Sequence, residues 1–502
     1  VSDPLEFRAY RDGQHCLLRA WNAAHQSRDD ASGMSSRAYA GPDPLAEVRA
    51  LARPLWSDAV DASEGGGSLA DIAARTTALI AQGCPRIREA VVVGHGQRVR
   101  LDVLERTPRG RWIAVLIRNG TRVSWALADR AAFTLHTMRG AGLDVAAIHA
   151  LLLDEAYVRP DTGPVDPHAI FVRRSLSFPA RRRLDRLAAA SLRVQTTIAA
   201  SAPPTQAPGA HCRDDRDGCP YLEACTASLP ADWTGWLPRK DRPPLREWIA
   251  QGLVRMADLP DDRMLPRGVQ HARLASQAGG AYVSPSLTAA LAPAGTPAAY
   301  LDFECVATAV PVYPGTRPYA VVPFLWSLHE DDGTGALTHR DDFAPAEVGA
   351  VPLRRIAEGL IDALGGSATP IVVYSGYERD RLRDLAAALP DLAASLDAIQ
   401  ARLVDLLEVV REHVYDLRFR GSFSIKAVAP ALAPALRYDD LPIRDGLAAA
   451  QAYERLLRSD VPAAEAAAIA ADLRAYCARD TMAMVQLHRA LRTLELAGES
   501  SS

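Results

Sequence analysis

The chain has 502 residues, of which 48% are hydrophobic, and a formal net charge of −3. That length exceeds one ordinary core and implies two or three folded units, and the composition excludes a wholly disordered chain. The small net charge excludes a global basic field, so a nucleic-acid partner would have to be held by a local basic patch.

Lysine occurs only at Lys240 and Lys426, and arginine supplies the other side-chain cations. No run of about 18 apolar residues occurs, so no membrane span is expected. No signal-peptide pattern opens the chain. Seven cysteines, an odd number, argue against a secreted disulfide framework, and the expected compartment is the reducing cytoplasm.

In chain order, a helical stretch surrounds Cys16 and Trp21, and a glycine-rich break follows at Ser63-Glu-Gly-Gly-Gly-Ser68. The pattern then predicts a helix over 69–82, strands over 90–93, 99–104 and 112–117, a helix over 126–141 and a basic helix over 181–199. Residues 201–209 are rich in alanine and proline and open a cysteine-bearing loop, 210–226. Residues 231–297 read as a proline-rich helical connector containing Trp233 and Trp236. From Ala298, strands are expected over 300–306, 319–329 and 370–374, with helices over 346–365, 378–388, 445–458 and 462–495. This alternation predicts an α/β protein with mixed sheets, divided into units 1–230, 231–297 and 298–495.

Asp302 and Glu304 lie two apart on a predicted strand, so both side chains leave the same face. Two acids on one face of an apolar strand repel and are costly to bury unless a cation relieves them. Tyr476 and Asp480 lie four apart on a predicted helix and share a face. Between them, Val372-Val-Tyr-Ser-Gly-Tyr-Glu378 ends a strand, turns at glycine and starts a helix with an acid.

Asp-x-Glu on a strand, an acid after the third strand and Tyr-x-x-x-Asp on the last helix together resemble the RNase H-like DEDDy 3′–5′ exonucleases. The resemblance implies two Mg²⁺ or Mn²⁺ ions held by Asp302, Glu304, Glu378 and Asp480, with Tyr476 orienting water. The family has aspartate where Glu378 stands, and Asp380 is the alternative. Around 200 residues also resemble uncharacterised bacterial proteins in which such a domain follows a RecB-type nuclease domain. That likeness is carried by Tyr300-Leu-Asp-Phe-Glu304, Tyr313-Pro-Gly-Thr-Arg-Pro-Tyr319, Gly421-Ser-Phe-Ser-Ile-Lys426 and Tyr476-Cys-Ala-Arg-Asp-Thr481. Lys426 and Arg317 are candidate phosphate contacts.

Cys212, Cys219 and Cys225 cluster in a polar loop, which suggests a metal. His211 could complete a zinc site, or Cys16 a four-cysteine [4Fe–4S] site. Gln14-His-Cys-Leu-Leu-Arg-Ala-Trp21 resembles the opening motif of iron–sulfur RecB-type nucleases, which implies the cluster. Cys84, Cys305 and Cys477 read as core thiols. The PD-(D/E)XK pattern of such nucleases is degenerate here. Asp102 fits its first acid, but Leu116 stands for the second acid, Arg118 for the lysine and Thr134 for a glutamine. The N-terminal unit is therefore expected to bind or scaffold without cleaving, helped by Arg98, Arg100 and Arg181, Arg182 and Arg183.

The expected function is a two-metal-ion nuclease acting on ends of single-stranded DNA or RNA. The alternative is a non-cleaving nucleic-acid-binding or scaffold protein. An iron–sulfur redox protein is a weaker third reading, because Gly94-His-Gly96 is too short for a nucleotide-binding loop.

Overall fold

The computed structural model describes residues 3–25, 39, 41–212, 218–262, 264–347 and 351–499. It is a mixed α/β protein with two large sheets and one small one. No helix among the described residues is long and apolar enough to cross a membrane.

The first sheet has seven strands: β1 (Leu5–Glu6), β2 (Val60–Asp61), β3 (Arg86–Gly94), β4 (Gln97–Arg106), β5 (Trp112–Ile117), β6 (Val145–Leu153) and β7 (Phe171–Ser175). Their order is β2-β3-β4-β5-β6-β7, with β1 pairing β4 off that path. His95 and Gly96 join β3 to β4, both with positive φ, +52° and +68°. That is the conformation of a two-residue hairpin turn, and it accounts for the Gly94-His-Gly96 motif. The helix Trp125–Gly140 forms the crossover between the parallel pair β5 and β6, and Ser124 caps its start by accepting from the Leu127 N–H. Strand β6 was not anticipated. Its Ala/Leu-rich run has helical propensity, which the pairing with β5 and β7 overrides.

The small sheet pairs β8 (Ala281–Val283) with β14 (Val414–Asp416). The second large sheet holds β9 (Ala298–Val306), β10 (Val322–Asp331), β11 (Leu337–Phe343), β12 (Ile371–Val373) and β13 (Leu403–Asp405), in the order β11-β10-β9-β12-β13. Its first three strands are antiparallel, and β12 and β13 run parallel to β9. Alternation along β9 sorts its residues. Leu301 and Phe303 pack with Ile356, Leu360 and Leu382 from the helices Leu353–Leu364 and Tyr377–Ala388. Tyr300 and Val306 lie on the other face, under the long helix Ala463–Glu499. That helix presents Leu473, Tyr476, Cys477, Asp480 and Met484 at three- and four-residue spacing to the sheet.

Residues 231–297 do not build a core of their own. Trp233, Trp236 and Val269 share one hydrophobic cluster with Tyr300, Val372, Leu406 and Leu487. The two large sheets also meet. The loop 307–321 after β9 inserts Ala309 beside Val48, Val115 and Leu153, and it pairs Gly315 N–H with the Arg159 carbonyl at 2.9 Å.

Gly421 locks the connector to the segment carrying Lys426. Its φ is +72°, and an added Cβ would lie 1.6 Å from the Trp236 carbonyl oxygen. Gly421→Ala should therefore lower the unfolding free energy by about 2 kcal/mol or more, measured by urea denaturation. An unchanged midpoint would refute this contact.

Candidate metal centre

The sheet register and the long helix bring distant acids together. Asp302 and Glu304 leave the β9 face that looks onto the helix Ala463–Glu499, beside Cys477 and Asp480. Glu378 arrives from the other side, in the first turn of Tyr377–Ala388. Glu304, Glu378 and Asp480 are buried, and Asp302 is half-buried. The turn delivering Glu378 is strained: Ser375 has φ +149°, a region that side chains disfavour. Its hydroxyl accepts from the Tyr377 N–H at 3.1 Å. Asp380, the alternative to Glu378, is exposed and paired with Arg383 at 3.0 Å.

The electrostatics are those of crowded acids. Burial and the neighbouring Asp480 push Asp302 up to about 8. Burial, then Asp302 and Asp480, hold Glu304 well above the carboxylate range. Burial and Asp302 do the same to Glu378, whose Oε2 has no hydrogen-bond partner. Burial raises Asp480 against the opposing influence of Lys426 and of hydrogen bonds from Tyr438 and Tyr476. Protein groups alone leave this pocket under-neutralised, and an orphaned buried carboxylate oxygen is the vacancy a cation ligand would fill. Hard oxygen donors fit Mg²⁺ or Mn²⁺.

Lys426 is a cation at this site, and Arg381 acts on Glu378. Serine 424 caps its helix, Ile425–Leu432. The Lys426 ammonium donates to the Tyr476 hydroxyl at 2.6 Å and to the Arg444 carbonyl at 2.8 Å. Arg317 is not brought here. It is exposed on the loop 307–321, in a cleft with Glu155, Tyr319 and Leu385.

Two members of the site escaped sequence reasoning. Cys477, expected to be a core thiol, donates to Asp302 Oδ2 at 3.4 Å. Its sulfur and carboxylate oxygens of Asp302 and Glu304 lie within 4.8 Å of one another, a group able to hold a metal ion. Its place next to Tyr476 and three residues before Asp480 was the available signal. Tyr438 donates to Asp480 Oδ1 at 2.7 Å. It comes from a loop with no periodic pattern, so nothing in the sequence marked it.

In the N-terminal unit, Cys16, Cys212, Cys219 and Cys225 line one cavity of about 40 Å³ together with His211 and Gln206. The Arg19 N–H donates to Cys16 Sγ at 3.4 Å, and the Gly209 N–H to Cys212 Sγ at 3.5 Å. Burial raises the thiols of Cys212, Cys219 and Cys225, and each thiol feels at least one other of the four. Asp102 is buried and already neutralised: Arg118 Nη1 and the Ile117 N–H each donate to Oδ2 at 2.9 Å, and Arg49 Nε donates to Oδ1. Leu116 is a core residue and Thr134 is buried. The surface arginines expected to bind nucleic acid are largely occupied: Arg98 pairs with Glu6, Arg100 with Glu89 and Arg183 with Asp129.

Removing one of the crowded carboxylates should relieve repulsion. In EDTA, Asp302→Asn is expected to melt at or above the wild-type temperature. With Mn²⁺ at a hundredfold excess over its Kd, wild type should gain about 2.7 kcal/mol and the variant far less, read by differential scanning calorimetry. Equal Mn²⁺ stabilisation of both proteins would show that the ion binds elsewhere.

Residues 299–424 match a family described as a domain of unknown function (DUF2779). The matched stretch includes Asp302, Glu304 and Glu378 and ends before Lys426, Tyr476 and Asp480. No curated protein and no solved structure matches the chain.

Proposed function

We propose that the chain is a divalent-metal-dependent nuclease whose C-terminal unit, an RNase H-like domain of DEDDy type, removes nucleotides from the 3′ ends of single-stranded DNA or RNA. One observation carries this reading: Asp302, Glu304 and Cys477 bring ligand atoms within 4.8 Å of one another, with the buried acids Glu378 and Asp480 close enough to raise Glu304 further. A sheet of three antiparallel strands continued by two parallel ones, with the acids on its first strand, supports the RNase H-like assignment.

Two divalent ions held by these acids would supply an activated water and neutralise charge at the leaving oxygen. The chain's own groups have separate tasks. Asp302 and Glu304 bind on one face of a rigid strand, and Glu378 and Asp480 close the pocket from two helices. The Cys477 thiol orients Asp302, and the Tyr438 hydroxyl orients Asp480. Tyr476 holds its hydroxyl between Lys426 and Asp480, where it can position a water. Lys426 is sited to contact a scissile phosphate. A groove of about 820 Å³ is lined by Ser375 and Ser424, which precede Glu378 and Lys426 in the chain, and by Arg239, Arg267, Arg411 and Phe423. Arginines interleaved with aromatic rings suit a single strand.

The N-terminal unit fits the RecB-like resemblance as a non-cleaving companion, because two guanidinium groups occupy Asp102 where a metal would be needed. We assign its four cysteines to a [4Fe–4S] cluster. Cys16, Cys212, Cys219 and Cys225 all line one cavity, which gives the cluster four thiol ligands. Four cysteine thiolates are the ligand set of such a cluster.

With Mn²⁺ and a 5′-labelled single strand, wild type should yield a ladder shortened from the 3′ end. Asp302→Ala with Asp480→Ala should reduce the rate by at least about 10³-fold, and Lys426→Ala by about 10- to 100-fold. Equal degradation by wild type and the double variant would refute the site. Anaerobically purified protein should contain about four iron and four sulfide per chain, with iron lost in Cys219→Ser. Stoichiometric zinc without iron would refute the cluster.

A further inference from the structure

The arginines around Asp102 exceed what that carboxylate can neutralise. Arg49 and Arg118 both bind it. Arg130, on the helix Trp125–Gly140, feels Arg118, Arg49, Arg11 and Asp102. Among the described residues its one direct partner is the Phe7 ring, 4.4 Å from the guanidinium carbon. Asp129, its neighbour in the chain, is turned away onto Arg183. Two guanidinium groups thus share one carboxylate, and half-buried Arg130, stacked on Phe7, lies close enough to feel all three. Burial first, and then Arg118, lower Arg130 to about 10, with Asp102 opposing them. The site is open on one side, since the Arg49 side chain retains 38% of its exposure.

A second observation lies on the same helix. Trp125, its first residue, is 81% exposed, and Phe178 nearby is 70% exposed. Neither ring is left bare of cations: the Arg183 guanidinium carbon sits 4.9 Å from the Trp125 ring and that of Arg182 5.7 Å from Phe178. Large aromatic rings held in water beneath guanidinium planes are stacking platforms for unpaired bases.

The geometry points to a second nucleic-acid site in the N-terminal unit: a backbone phosphate seats among Arg49, Arg118 and Arg130, and flanking bases stack on Trp125 and Phe178. The replacement of a metal-binding acid and lysine by Leu116 and Arg118 then converts a cation site into an anion site. Arginine suits this role, because its planar fork meets two phosphate oxygens at once. A single strand is favoured over an acidic peptide because the pocket for charge is accompanied by exposed rings, which an acidic side chain would not use.

This site does not depend on cleavage at the C-terminal acids, so it can be measured in EDTA, with the groove at Arg239, Arg267 and Arg411 contributing equally in every variant. The probe is a fluorescent single-stranded oligonucleotide longer than about 16 nucleotides, titrated with the full chain by anisotropy across a salt series. Arg130→Gln should weaken binding by about tenfold and reduce the logarithmic salt slope by about one. Trp125→Ala should weaken it at least about fivefold with the slope kept. Arg354→Gln, at the Asp391 pair, should leave both unchanged. Removal of a surplus charge predicts that Arg130→Gln melts no lower than wild type, and Arg49→Gln provides an independent variant should it fail to fold. Affinity and slope unchanged in both arginine variants would overturn the proposal. So would equal competition by poly-glutamate of matched charge, which would make the patch a protein-docking surface.

Discussion

Carboxylates taken out of water repel one another, and much of this molecule is arranged around four of them. Asp302 and Glu304 project from the middle strand of a sheet whose opposite face is filled by Leu301 and Phe303. Period two along that strand fixes both acids on the face covered by the long C-terminal helix. The same helix contributes Asp480, and a strained turn at Ser375 turns Glu378 inward. The surrounding donors, Lys426, Tyr438, Tyr476 and Cys477, each touch one member of the group or its neighbour. They soften the repulsion without cancelling it, as the raised pKa values attest. Burying charge costs several kcal/mol per ion, and Asp302, Glu304 and Cys477 form a group that could hold a metal ion against that cost.

The N-terminal unit resolves the same problem in the opposite way. Asp102 is equally buried in a sheet, yet Arg49, Arg118 and a backbone N–H neutralise it from within the protein. Leu116, on the neighbouring strand, packs into the core. One unit therefore crowds carboxylates together, and the other pairs its buried carboxylate with arginines. Their contact through the loop 307–321 sets the two pockets in one body.

Much of this was legible in the sequence. Asp-x-Glu and Tyr-x-x-x-Asp signalled shared faces because strand and helix periods are local properties, and the observed strands and helices around them follow those periods. The choice between Glu378 and Asp380 was not legible, because it depends on the turn at Ser375, whose φ of +149° no propensity predicts. Tyr438 and the Arg49–Asp102 contact join residues 42 and 53 apart through tertiary packing, and no short-range pattern carries them. Strand β6 was hidden for a different reason: an Ala/Leu run favours helix until neighbouring strands pair with it. Arg98, Arg100 and Arg183 looked available for a partner, and only their carboxylate neighbours in space show that they are engaged.

The most direct test is a crystal of the full chain soaked in Mn²⁺ and measured at the manganese absorption edge. Two anomalous peaks about 4 Å apart, bounded by the carboxylates at positions 302, 304, 378 and 480, are the expected result. Density confined to other surfaces, with these four side chains unliganded at saturating Mn²⁺, would contradict the account.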